Sequence, residues 1–161
     1  MNNVSKVLLS CGFVFSTAIG AAAIYSHQPH AQAAETPHYN FTGYTSANSE
    51  FILDEDFINA IKHDNLTMNG YSITKGTTDT VQLVDIYDQQ FRERGENNAD
   101  FVLFELDGKT VSQNDLLEVY GPSDVYETPD GNMYERDYNG TLIQFYENDG
   151  YITKVKIQAY E

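Results

Sequence analysis

Three dipeptides in the C-terminal third restrict this chain more than any other feature: Asp130-Gly131, Asn139-Gly140 and Asp149-Gly150. They punctuate runs rich in Tyr, Ile, Phe and Val. An Asn-Gly or Asp-Gly pair between such runs is the strongest short-range hairpin signal. Ahead of them, Ser112 followed at the third residue by Asp115 has the form of a capping box, and Leu116, Leu117 and Tyr120 give one apolar side. Gly121-Pro122 then stops the helix. Ser112 to Tyr160 therefore reads as a short helix followed by a three-strand meander.

Burial fixes a register. A two-residue Asn139-Gly140 loop pairs Tyr138 with Thr141 and Tyr134 with Phe145. A three-residue loop after Glu147, with Gly150 left-handed in a bulge, sets Phe145 opposite Thr153 and Ile143 opposite Val155. A two-residue loop there would place Ile143 and Phe145 beside Lys156 and Lys154, splitting the apolar residues between faces. The predicted buried face holds Tyr134, Tyr138, Ile143, Phe145, Val155 and Ile157, with Glu135, Asp137, Gln144, Lys154 and Lys156 in solvent. Arg136 falls between Tyr134 and Tyr138 on the apolar side. The three form a candidate ligand- or partner-binding strip; the plainer reading is a snorkelling guanidinium stacked on tyrosine.

The start of the chain reads as an address. Lys6, an apolar run from Val7 to Ile24 and Ala31-Gln32-Ala33 have the pattern of a secretory signal over residues 1–33. Leu8-Leu9-Ser10-Cys11 resembles a lipoprotein box, but three apolar residues between Lys6 and Ser10 are too few for its apolar core. Cys11 is the single cysteine, so the exported part must hold together by its core alone. With no second long apolar run, the expectation is a protein that does not span a membrane, secreted or loosely attached to the cell surface. Of 9 basic residues one, Lys6, leaves with the signal; eight remain against 24 acidic, a net charge of −16. Such a field opposes polyanions. Twelve Tyr and nine Phe argue for a folded domain and against disorder.

Residues 34–50 read as a linker, partly extended near Tyr39 to Tyr44. A single α+β domain is expected over 51–161. Phe51 to Asn65 predicts a helix capped by Asp54, with Phe57, Ile58 and Ile61 inward. Leu66 to Ile73 predicts a short hairpin arm around Asn69-Gly70, and Thr77 to Phe91, with Val81, Val84, Tyr87 and Phe91 at helical spacing, a second helix. Arg92 to Asp100 reads as an exposed loop. Phe101 to Leu106, apolar on both faces, reads as a central strand paired with the meander. The fold class is α+β: an antiparallel sheet of the meander plus one or two further strands, with two to three short helices on one face.

Phe51-Ile52-Leu53-Asp54, Phe57 through Lys62 and Asp64-Asn65 resemble the corresponding run of the staphylococcal immunodominant surface antigen B family. Asn40, Gly43-Tyr44, Tyr87-Asp88-Gln89 with Phe91, and Tyr120-Gly121 support the resemblance, as does the Ala-Gln-Ala-Ala signal end. It implies a small, exported or cell-surface, immunogenic and virulence-associated protein that is not an enzyme. Host or bacterial surface macromolecules would be its partners, and nucleic-acid binding is ascribed to the family. Phosphate contacts need clustered cations, and Arg94, Lys154 and Lys156 are the candidate patch here. Against this, the net charge predicts weak duplex binding or none.

Reaction chemistry finds little support. The exported part keeps His38 and His63 but no Cys and no Gly-x-Ser-x-Gly, so a nucleophilic triad lacks its parts. Among 24 acids accidental carboxylate pairs are common, and Asp54-Glu55-Asp56 lacks the spacing of a calcium loop. No cofactor or metal site is expected. An inhibitor-like or small-ligand-binding domain is the third reading, resting on Tyr134, Arg136 and Tyr138.

Overall fold

The computed structural model describes residues 36–76 and 78–160. The signal expected over residues 1–33 lies outside them. Among the described residues ten strands form: β1 (Tyr39–Phe41), β2 (Leu66–Met68), β3 (Tyr71–Ile73), β4 (Gln82–Ile86), β5 (Gln89–Glu93), β6 (Asn98–Glu105), β7 (Asp124–Thr128), β8 (Gly131–Tyr138), β9 (Thr141–Asn148) and β10 (Tyr151–Ala159). Two α-helices, α1 (Glu55–Lys62) and α2 (Gln113–Tyr120), accompany a 3-10 turn at Ser49–Leu53.

All ten strands join one sheet in the order β1-β2-β3-β6-β10-β9-β8-β7, with the β4–β5 hairpin attached to β6. The α+β class stands, but the sheet is mixed, and it exceeds the four or five antiparallel strands expected. β1 runs parallel to β2 and β3 parallel to β6. The first parallel pair is joined through α1, the kind of crossover that parallel neighbours require. The extra strands are short or at edges, where the apolar pattern is thin: β1, β2 and β3 have 3 residues each, and β7 is almost wholly exposed. The meander thus has four strands rather than three.

The helix ends follow their local chemistry. Asp54 caps α1 by accepting from the Asp56 backbone N–H at 2.9 Å. Ser112 and Asp115 exchange side-chain and backbone bonds in a full capping box, and Gly121, at φ 72, ends α2. The helix expected over 51–65 is shorter, because its first turn is the 3-10 segment before Asp54. The segment expected as a linker is packed: Phe41 is 7% exposed, and Thr45 and Ser49 are buried. Loop 43–46 is tied to the β4–β5 hairpin by Asp88 and Gln89 and to the β2–β3 turn by Asn69.

Two expectations fail between residues 77 and 100. Thr77–Phe91 is not a helix; β4 and β5 pair through the two-residue turn Tyr87-Asp88, with Val84 opposite Phe91. Phe91 is fully buried opposite Val102, so pairing with β6 overrides the helical spacing. Most of the exposed loop expected over 92–100 is strand, with β5 and β6 separated only by residues 94–97.

Within the meander, Tyr134 faces Phe145 and Tyr138 faces Thr141, as the Asn139-Gly140 turn requires. The next hairpin differs. Tyr151 faces Asn148 across a two-residue Asp149-Gly150 turn, and a bulge at Thr153 then shifts the register, so that Val155 faces Phe145 and Ile157 faces Ile143. The expected pairing of Ile143 with Val155 is therefore displaced by two residues. The four side chains still share one face, because the bulge restores the alternation that the tight turn would break. All four are fully buried.

The helices cover that face. Phe51 of the 3-10 turn lies 5.7 Å from the Phe104 ring, and Tyr120 of α2 lies 4.7 Å from Phe145. The Tyr120 hydroxyl donates to the Ile52 carbonyl at 2.5 Å, joining α2 to the 3-10 turn. β6 is central, with β5 along one edge and β10 and β3 along the other.

Asp88 offers a test of the loop attachment. Partial burial pushes its carboxyl up, but donors from Ser46, Thr45 and Gln89 outweigh that and lower it from 3.8 to about 2. Because the folded value is depressed, its contribution is present above 3.8 and fades as pH falls through about 2. Asp88→Ala is expected to lower stability at neutral pH by about 1 kcal/mol, solvent screening having reduced the nominal figure. Urea titrations of both proteins should converge near the lower value; a gap that persists there would show that the carboxylate is not the tie.

Candidate binding face of the sheet

The alternation that buries Val155 turns its neighbours outward. Lys156 lies between Leu103 of β6 and Gln144 of β9, and Lys154 between Glu105 and Tyr146. No described helix packs on this side through the ring contacts that fix the opposite face. Leu103, Tyr146, Lys154 and Lys156 are half-buried by neighbours in the sheet, Glu105 is exposed, and Gln144, expected in solvent, is buried between its strand neighbours, while the interleaved Val102, Phe104 and Val155 are fully buried. One sheet thus has an apolar face under helices and an aromatic and cationic face toward solvent.

Phe101 is the focus of that outer face. The Arg92 guanidinium carbon lies 5.4 Å from its ring centroid and the Lys156 ammonium 5.9 Å. Both separations are within cation–π range. Arg92 is placed by register, since it stands opposite Phe101 on β5. The next pair, Glu93 with Ala99, skips Asp100, which is therefore the extra residue of a bulge. The bulge brings the Asp100 carboxylate to 2.6 Å from Arg92 Nε and 3.8 Å from Arg94 Nε. Asp100 is 7% exposed and fixes the guanidinium beside the ring.

A concavity of about 490 Å³ opens on this face, lined by Phe101, Leu103, Tyr146, Lys154 and Lys156, with Asp130 and Glu147 also in its wall. Burial, then the nearby Glu135, pushes the Tyr146 hydroxyl above its ordinary value, so it stays a neutral donor and stacking surface. Such a surface can stack planar groups and neutralise one or two anionic groups. The carboxylates in the wall oppose a ligand dense in negative charge.

The structure divides the predicted cationic patch. Lys154 and Lys156 share the concavity, whereas Arg94 lines a separate one of about 380 Å³ with Lys75, Arg92 and Asp100. Arg92 takes its place beside Lys156. The sequence signal for this was the two-residue spacing of Phe101 and Leu103, read only as a sign of a central strand.

The predicted strip Tyr134, Arg136, Tyr138 lies on the helix-covered face. Tyr134 is 3% exposed. Arg136 Nη2 donates to the Tyr120 carbonyl at 2.7 Å, meeting the last turn of α2, where a cation complements the helix dipole. Lys62 of α1 sits 5.7 Å above the Tyr138 ring. The strip anchors helices, Arg136 reaching α2 and Tyr138 lying under Lys62 of α1. Arg136 is a helix cap rather than a guanidinium stacked on tyrosine.

His63 follows the last residue of α1, and the His38 ring lies 3.5 Å from the Thr67 hydroxyl. Among the described residues, no cluster of three or more His, Cys, Asp and Glu could hold a metal ion, and no helix is long and apolar enough to cross a membrane.

Residues 38–157 match the family model described as immunodominant staphylococcal antigen B. The chain is 35% identical over 153 residues to the immunodominant staphylococcal antigen B of Staphylococcus aureus strain USA300, covering 92% of this chain and 83% of that relative. The same figures hold for strain COL. A crystal structure of a DUF4309 family protein from Bacillus subtilis superposes with a TM-score of 0.38 at 16% identity, over 56% of this chain and 72% of that one. That likeness is too distant to argue from.

Replacing Arg136 by Met keeps the apolar stem and removes the cap. Arg136→Met is expected to cost about 1–2 kcal/mol in urea denaturation, the range for losing a charged hydrogen bond at a helix end. Unchanged stability would show that the Tyr120 carbonyl is satisfied without it.

Proposed function

Because the chain belongs to the immunodominant staphylococcal antigen B family, we propose that it acts outside the cell as an immunogenic binding protein and not as an enzyme, with the open sheet face as its contact surface. The observation that carries this reading is Phe101 held between Arg92 and Lys156 on a face that no described helix covers. Export is supported by the signal-like start of the sequence. The non-enzymatic reading is supported by the sequence, whose exported part keeps His38 and His63 but no Cys and no Gly-x-Ser-x-Gly.

A single-stranded nucleic acid suits this face better than a duplex. Stacking a base on an aromatic ring contributes about 1–3 kcal/mol, and bases in an intact duplex cannot provide it. Charge works in the same direction. Fields are screened beyond about 8 Å at physiological salt, so a strand lying across Phe101 and Lys156 escapes most of the distant acids. A rigid duplex presents phosphates over a wider area and meets more of the 24 acidic residues.

Fluorescence anisotropy with a labelled oligothymidylate of about 15 nucleotides, the upper range of single-strand sites, tests this reading. The strand is expected to bind roughly tenfold more tightly than a duplex of equal length, and Phe101→Ala to lose a similar factor. Lys156→Ala should reduce the slope of log affinity against log salt by about 0.7. Equal affinity for the duplex, or unaltered binding by Phe101→Ala, would rule this surface out.

A further inference from the structure

The β4–β5 turn holds a residue its backbone does not favour. A two-residue turn joins Ile86 to Gln89, and its first central residue, Tyr87, has φ 56. Asn, Asp or Gly usually fills that position, because a bulky side chain strains the left-handed region. The ring gains no core contact in exchange. Tyr87 and Tyr44 are each 55% exposed, and their rings meet edge to face at 4.8 Å.

The pair is held from both sides. The Asp88 carboxylate accepts from the backbone N–H groups of Thr45 and Ser46, both at 2.9 Å. Asn69 Oδ1 accepts from the Gly43 N–H at 2.8 Å, and Gln89 Nε2 donates to the Gly43 carbonyl at 2.8 Å. Two tyrosine faces are thereby fixed in water at the tip of a hairpin. Strain of this kind persists only where surrounding bonds over-determine it.

Beside Tyr87 lies a concavity of about 240 Å³, lined also by Asp85, Asp88, Gln90, Leu103, Glu105 and Lys154. Three carboxylates face one ammonium there, on a chain whose formal charge is −15. Electron-rich rings beside a net negative wall complement an organic cation. The outer edge of β4 is unpaired among the described strands and leads directly to Tyr87, so an extended peptide can lie along it.

We infer that the Tyr44–Tyr87 pair and its adjoining concavity bind a lysine or arginine side chain presented by a basic peptide segment. This surface adjoins the Phe101 site, sharing Leu103 and Lys154 with it, but takes the opposite charge through Tyr44, Tyr87 and the three carboxylates.

The test compares a synthetic oligo-arginine peptide, an oligo-glutamate peptide and a chito-oligosaccharide at physiological salt, for the native protein, Tyr87→Gly and Tyr44→Leu. Tyr87→Gly leaves the charge unchanged and suits the turn, so it should fold at least as stably. The native protein is expected to bind only oligo-arginine. Tyr87→Gly and Tyr44→Leu should each bind it roughly three- to thirty-fold more weakly, the range of a cation–π contact. Phe101→Ala should bind it normally, which separates this site from the open face. Undiminished oligo-arginine binding by Tyr87→Gly would mean that charge alone holds the peptide and would overturn the inference. A native preference for the chito-oligosaccharide would overturn it as well.

Discussion

The pairing of β10 between β9 and β6 is the interaction on which the rest of this structure depends. Val155 lies opposite Phe104 on one side and Phe145 on the other, and Ile157 lies opposite Val102 and Ile143. These residues form a continuous buried row beneath the helices. Fully burying one such side chain contributes about 1.5–3 kcal/mol. The row exists only because a bulge at Thr153 follows the tight Asp149-Gly150 turn. With that turn and no bulge, β10 would set its lysines beside the buried residues of β9.

The same constraint produces the outer face. Once Val155 and Ile157 point inward, Lys154 and Lys156 must point outward, next to Tyr146, Leu103 and Phe101. A second bulge, at Asp100, places a buried carboxylate where it can orient Arg92 against Phe101. Core packing and the candidate contact surface are therefore two outcomes of one register. The turns are similarly constrained: a Cβ on Gly131 would lie 2.0 Å from the Glu147 carbonyl oxygen, so no other residue fits that corner without displacement.

What the sequence revealed was local. The Ser112–Asp115 capping box, the Asp54 cap and the register across Asn139-Gly140 all depend on residues within a few positions of one another, and the structure has each of them. What stayed hidden was long-range or rare. Tyr87 occupies a left-handed position that sequence rules reserve for Asn, Asp or Gly, so the β4–β5 hairpin resembled a helix. Arg136 read as a snorkelling guanidinium or, alternatively, a ligand anchor, and its cap of α2 stayed hidden because the carbonyl it meets is 16 residues away. Lys154 and Lys156 share one concavity through the alternation along β10, whereas Arg94 lines another beside Asp100, a long-range placement with no local signature in the sequence.

This acidic chain presents cations beside an aromatic ring on one face and aromatic rings beside carboxylates at an adjoining hairpin, with Lys154 at the boundary of the two. On the function proposed, the side of the sheet that no described helix covers makes the contacts. Backbone and side-chain NMR shifts during titration with single-stranded oligothymidylate test this most directly. The account predicts perturbations of alternating residues, Phe101, Leu103, Tyr146, Lys154 and Lys156, with Val102 and Val155 much less affected. Shifts confined to α1, α2 or the Arg136 region, or spread evenly along β10 without alternation, would contradict it.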